Sequence, residues 1–98
     1  MDYYTEFELD IYSGTTDFDE LLIAVNKLSD IRFNHYGQAE GEWCSYYEDM
    51  LIISEEFPDC ILLLHGQGVD ANDIWRVYFK NGVSQVCRAK ITFDPCTL

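Results

Sequence analysis

From Tyr3 to Tyr12 apolar and polar side chains alternate strictly, with Phe7, Leu9 and Ile11 on one side and Glu6, Glu8 and Asp10 on the other. A period of two predicts a strand in a sheet with one dry face and one wet face. Ser13-Gly14-Thr15 breaks the pattern, and Thr16 or Asp17 then caps a helix. Thr16-x-x-Asp19 resembles a capping box with Asp in place of Glu, and Asp17, Asp19 and Glu20 sit where the helix dipole favours negative charge. Phe18, Leu21, Leu22, Val25 and Leu28 recur at helical spacing as one apolar stripe, and the helix is expected to stop near Ser29-Asp30.

Ile31 to Tyr36 reads as a short second strand, and Gly37 to Glu42 as an exposed polar connection with two glycines. Ser45-Tyr46-Tyr47-Glu48 is a complete capping box, so a second helix starts there, with Met50, Ile53 and Phe57 at helical spacing. Pro58 ends it, because proline disfavours helix in the residue before it. Cys60 to His65 is a continuous apolar run, read as a central strand, and Gly66 to Asn72 as a loop. Asp73 to Lys80 alternates again, with Trp75, Val77 and Phe79 against Arg76, Tyr78 and Lys80. Asn81-Gly82 is a strong hairpin signal, since a type I′ turn needs positive φ at both positions. The last strand, Ser84 to Phe93, is read with Cys87, Ala89, Ile91 and Phe93 inward and Val86, Arg88, Lys90 and Thr92 outward, and Pro95 ends it.

The order is therefore β-α-β-α-β-β-β. Two amphipathic helices and several one-sided strands predict an α+β domain over residues 1–98, with both helices on one face of a mainly antiparallel sheet of four to five strands. If the first two strands share that sheet, a right-handed crossover through the first helix makes them parallel.

Charge changes this picture. Before Ile74 there are 17 acidic residues and two basic ones, Lys27 and Arg32, a balance of −15; from Ile74 onward four basic residues face Asp94 alone, a balance of +3. A surplus this large opposes compaction by self-repulsion and calls for a reason such as solubility or a cationic partner. It argues against direct contact with nucleic acid or anionic lipid, and is compatible with a protein partner that itself binds nucleic acid. With 48% hydrophobic residues the chain has ample material for a core. No apolar run approaches a bilayer span, and the first residues lack the basic and apolar regions of a signal peptide, so the expected location is cytoplasmic. Cys44, Cys60, Cys87 and Cys96 match no common zinc spacing and are expected to be reduced thiols, with Cys60 and Cys87 acting as small buried hydrophobes.

Trp43, Glu48-Asp49-Met50, Ile53 to Asp59, Gly66-Gln67-Gly68 and Asp73-Ile74-Trp75 leading into Tyr78 to Gly82 together resemble a ferredoxin-like domain of small phage, plasmid and bacterial proteins. The resemblance implies helices packed on a sheet and a mobile-element origin, in keeping with small acidic phage proteins that inhibit host defence nucleases. It implies no catalytic activity.

The candidate sites follow from charge and aromaticity. Glu6, Glu8 and Asp10, with Arg76, Lys80, Arg88 and Lys90, are expected on the open sheet face, either as cross-strand pairs or as a docking surface. The residues singled out for protein binding are Glu40, Glu42, Trp43, Tyr46, Glu48, Asp49, Glu55 and Glu56. Helix starts account for Glu48 and Asp49 but not for Glu40, Glu42, Glu55 or Glu56. Trp43 and Tyr46 are residue types that dominate interface energies, although packing of the loop onto the helix accounts for them equally. His35, on the side of Ile31 and Phe33 by alternation, and His65 are expected to be partly buried structural residues. No catalytic, metal or cofactor motif stands out. The reading is a non-enzymatic protein-binding module, monomer or homodimer, whose partner has a basic surface; the alternative is a small ligand-binding or regulatory domain, which a compact pocket between the Gly37–Glu42 loop and the sheet would favour.

Overall fold

The computed structural model describes residues 4–69, 73–89 and 94–97. Its elements are β1 (Thr5–Ser13), α1 (Phe18–Leu28), β2 (Gln38–Gly41), α2 (Tyr46–Glu56), β3 (Ile61–Gln67), β4 (Ile74–Lys80) and β5 (Val83–Arg88). The strands form one five-stranded sheet in the order β2-β1-β3-β4-β5. Every neighbouring pair is antiparallel.

Alternation places Phe7, Leu9, Leu62, Leu64, Trp75, Val77 and Phe79 on one face, where they join Leu21, Leu22 and Val25 of α1 and Met50 and Ile53 of α2 in a single core. Both helices therefore cover the same face. The stripe on α1 is largely buried as expected, although Leu28 at its end is 41% exposed. Asp17 is the N-cap, its carboxylate accepting from the Asp19 amide at 2.9 Å, so Thr16 does not cap.

The second strand lies elsewhere than expected. Ile31–Tyr36 is irregular, and the predicted loop at Gly37–Glu42 supplies β2 instead. Side chains explain why. The Asn26 amide both donates to the Phe33 carbonyl at 3.2 Å and accepts from its N–H at 2.8 Å, fastening this segment to α1. The Asn34 side chain accepts from the amides of Tyr36 and Gln38, each at 2.9 Å, holding a turn that sends the chain back along β1. Side chains thus take the backbone partners a ladder would use. The turn also makes β2 antiparallel to β1, not parallel. His35 falls on this turn, exposed, its ring 4.0 Å from that of Tyr36.

Three further expectations are corrected. Ser45 precedes α2 but makes no backbone cap; its hydroxyl donates instead to Asp49 Oδ2 at 2.9 Å. Gly66 and Gln67 extend β3 rather than opening a loop. A Cβ on Gly66 would stand 2.0 Å from the Trp75 ring, so the bare backbone there is what lets the indole lie on the sheet.

The third correction concerns β5. Asn81 and Gly82 have φ of 45° and 79°, as a type I′ turn requires. That two-residue turn pairs Lys80 with Val83 and hence Phe79 with Ser84, Val77 with Val86 and Trp75 with Arg88. Ser84, Val86 and Arg88 therefore share the helix-covered side, while Cys87 lies on the open face beside Arg76. Arg88 leaves the open face and pairs with Asp73 at 3.7 Å. Ala89 is exposed, and Lys90, Ile91, Thr92 and Phe93 lie outside the described residues.

Buried polar groups on the covered side are answered within the fold. The Ser54 hydroxyl donates to the Leu51 carbonyl at 2.7 Å and accepts from the Gly82 amide at 2.9 Å, pinning the β4–β5 turn onto α2. Tyr47 and Ser84 hydroxyls bond α2 to β5.

Candidate functional site

The eight residues singled out for protein binding do not converge. Trp43 is 3% exposed and packs edge-on against Phe7 and Phe33, with ring centroids 5.6 and 5.9 Å away. Its indole N–H donates to Asp49 Oδ2 at 2.8 Å, the same oxygen that takes the Ser45 hydroxyl. Asp49 and Trp43 thus bind each other. Tyr46 is half-buried and stacks on Trp75 at 4.8 Å, and burial raises its phenol pKa, with Arg88 opposing. Glu42 accepts from the Cys44 thiol at 3.6 Å; that bond, and then the repulsion by the same carboxylate, raises the thiol pKa. Glu48, Glu55 and Glu56 are exposed on α2, on the covered side of the sheet. Glu40 is on the other side, in β2.

On the open face the register brings together residues far apart in sequence. Glu6 stands directly opposite Glu40, and Glu8 opposite Gln38. Continuing across the sheet, Glu8 is followed by His65, Arg76 and Cys87, and Asp10 by Leu63, Tyr78 and Gln85. Acids thus occupy β1 and β2, and Arg76 and Lys80 occupy β4. None of these charged groups forms an ion pair with another described residue. Leu63 is 6% exposed yet lies outside the main core, and nearby the Tyr12 and Tyr78 rings meet edge to face at 4.9 Å.

The acidic half of this face is concave. A groove of about 680 Å³ is lined by Glu6, Glu8, Gln38 and Glu40 with His65 and Gln67, and Arg32 is the one cation among the described residues of its wall. It runs from Arg32 and Asn34 across β2 and β1 to His65 and Gln67 of β3 and Ile74 of β4. A cleft lined mainly by one sign of charge focuses the field at its mouth. Among the described residues there is no group of three or more His, Cys, Asp or Glu able to hold a metal ion. The four cysteines are unpaired.

Sequence alternation had put Glu6, Glu8 and Asp10 on this face. It could not pair Glu40 with Glu6, because that contact exists only once β2 is placed and its register with β1 is set.

Fold and site together define a class: an α+β domain with a five-stranded antiparallel sheet and two helices on one face, the other face being uncovered by any described residue. No family model, no curated protein and no solved structure matches the chain. No helix of the described residues is long and apolar enough to cross a membrane.

Proposed function

We propose that this chain is a non-enzymatic protein-binding module of the cytoplasm whose acidic open face engages a partner with a basic surface. The observation that carries the reading is Glu6 opposite Glu40, with Glu8 beside them in the groove wall and, among the described residues, no cation paired to any of them. Like charges directly opposite on a sheet destabilise it. A fold that keeps them unneutralised gains by offering them to something else.

The more specific form is a phage-type inhibitor that blocks the nucleic-acid site of a host defence protein. Its support is the ferredoxin-like resemblance and charge spacing. Glu6, Glu8 and Asp10 recur about every 6.8 Å along β1, half the axial charge density of one DNA strand, and Glu40 adds a fourth carboxylate beside Glu6. The exposed acids of α2 supplement this charge from the other side but do not belong to the same surface.

The test is capture from a bacterial lysate, comparing the chain with its Glu6→Gln/Glu8→Gln/Glu40→Gln variant. A specific captured protein is expected to be lost in the variant, displaced by duplex DNA, and released as salt rises from about 0.01 to about 0.15 M. Capture indifferent to both salt and substitution overturns the reading.

The groove itself favours a second reading, a small regulatory domain with a cationic ligand, since its volume falls within the roughly 300–1,000 Å³ of ligand pockets. Calorimetric titration with a polyamine separates the two: saturable binding abolished by Glu6→Gln/Glu40→Gln supports the ligand.

A further inference from the structure

The open face carries both halves of a complementary pair. Its acids lie on β1 and β2, its cations on β4, and β3 runs between them. The registers of β1 and β4 against β3 coincide: Glu8 and Arg76 both pair with His65, Asp10 and Tyr78 both with Leu63, and Glu6 and Ile74 both with Gln67. A rotation of 180° about an axis parallel to β3 therefore exchanges the β1 and β4 positions row by row.

We propose that a second copy of this chain seats on the open sheet face, related by a two-fold axis along β3, whenever no cationic target occupies it. The inference rests on the proposed reading in using the same face as an interface, and makes the two occupants mutually exclusive. Face-to-face sheets sit about 10 Å apart. At that distance Glu8 of one copy meets Arg76 of the second copy, and Asp10 faces the Tyr78 hydroxyl. Leu63 and His65 lie on the axis, and the Tyr12–Tyr78 pair supplies apolar contact beside it. The alternative in-plane axis, perpendicular to the strands, sets acid on acid and is disfavoured.

The area suffices for a modest dimer. Five strands about 4.8 Å apart and roughly 20 Å long cover about 500 Å² per copy, or about 1,000 Å² in total, at the lower end of specific interfaces. Each chain carries −12, so long-range repulsion opposes association at low salt. The screening length falls from about 30 Å at 0.01 M to about 8 Å at 0.15 M salt, beyond the reach of most of that repulsion but not of contacting pairs. Self-association consequently strengthens over the range in which capture of a cationic partner weakens.

Sedimentation equilibrium of the full chain tests this, with circular dichroism to confirm that each variant is folded; Glu8 and Arg76 are both exposed. Wild type is expected to dimerise at about 0.15 M salt and to dissociate toward about 0.01 M. Glu8→Arg and Arg76→Glu singly should each weaken the dimer roughly tenfold or more, and the double exchange should restore it, because the swapped pair meets again. A chain that stays monomeric at about 0.15 M salt, or a double variant that stays as weak as the singles, overturns the proposal. A monomeric chain that still captures a basic protein through Glu6, Glu8 and Glu40 leaves the proposed function standing. A dimer restored by the exchange, with no salt-sensitive capture, does the reverse.

Discussion

The two faces of the sheet are built on opposite rules. On the covered face, among the described residues, no buried side-chain polar atom lacks a partner: Trp43 bonds Asp49, Ser54 bonds Gly82 and Tyr47 bonds Ser84. On the open face Glu6, Glu8, Asp10 and Glu40 have no ion-pair partner among the described residues, although Arg76 and Lys80 share the same surface. The helices explain the contrast. Taking a group out of water costs free energy unless its bonds are remade, so the face beneath α1 and α2 must be internally satisfied. The bare face keeps its water and tolerates unmatched charge, which leaves that charge available to a partner.

Substitutions on the two faces should then differ in sign as well as size. Gly66→Ala should have the largest effect. Its methyl would fall within the Trp75 ring, next to the Phe7 ring that meets Trp75 at 6.0 Å, and the core would have to open. A loss of about 3 kcal/mol or more is expected by denaturant unfolding; an unchanged midpoint would mean that the indole does not lie over this glycine. Ser54→Ala should cost less, about 1–3 kcal/mol, by leaving the Gly82 amide without its acceptor and the hairpin loosely tied to α2. Hydrogen exchange at Gly82, faster in the variant, would locate the loss.

Glu6→Gln should have the smallest effect and the opposite sign. Removing one of two opposed carboxylates should stabilise the fold by about 0.2–1 kcal/mol, a gain that shrinks as salt is added. If thermal melting instead shows destabilisation, Glu6 has a favourable partner within the chain, and the contrast between the faces fails at its central residue. A stabilising change that abolishes partner capture would mark the acid pair as kept at a cost to stability.

How much of this was legible beforehand varied with the range of the interaction. The α+β class, both helices and the bare acidic side of β1 follow from periodicity. The parity of β5 was legible too, since a two-residue Asn81-Gly82 turn with Lys80 outward forces Ser84, Val86 and Arg88 inward. The alternation of Cys87 with Ala89 outweighed that signal and suggested the opposite face. Strand β2 was hidden by composition. Ile31 and Phe33 look more strand-like than Gln38-Ala39-Glu40-Gly41, but two asparagine side chains capture the backbone of the first segment and leave the second to pair with β1.

Local chemistry was enough to assign periods, turns and the sign of the charge, because each depends on residues a few positions apart. Long-range pairing alone determined that Glu40 meets Glu6 and that Glu8 and Arg76 flank His65 in one row. A one-residue slip in register exchanges every side chain between faces, and that register is set by the packed sheet as a whole.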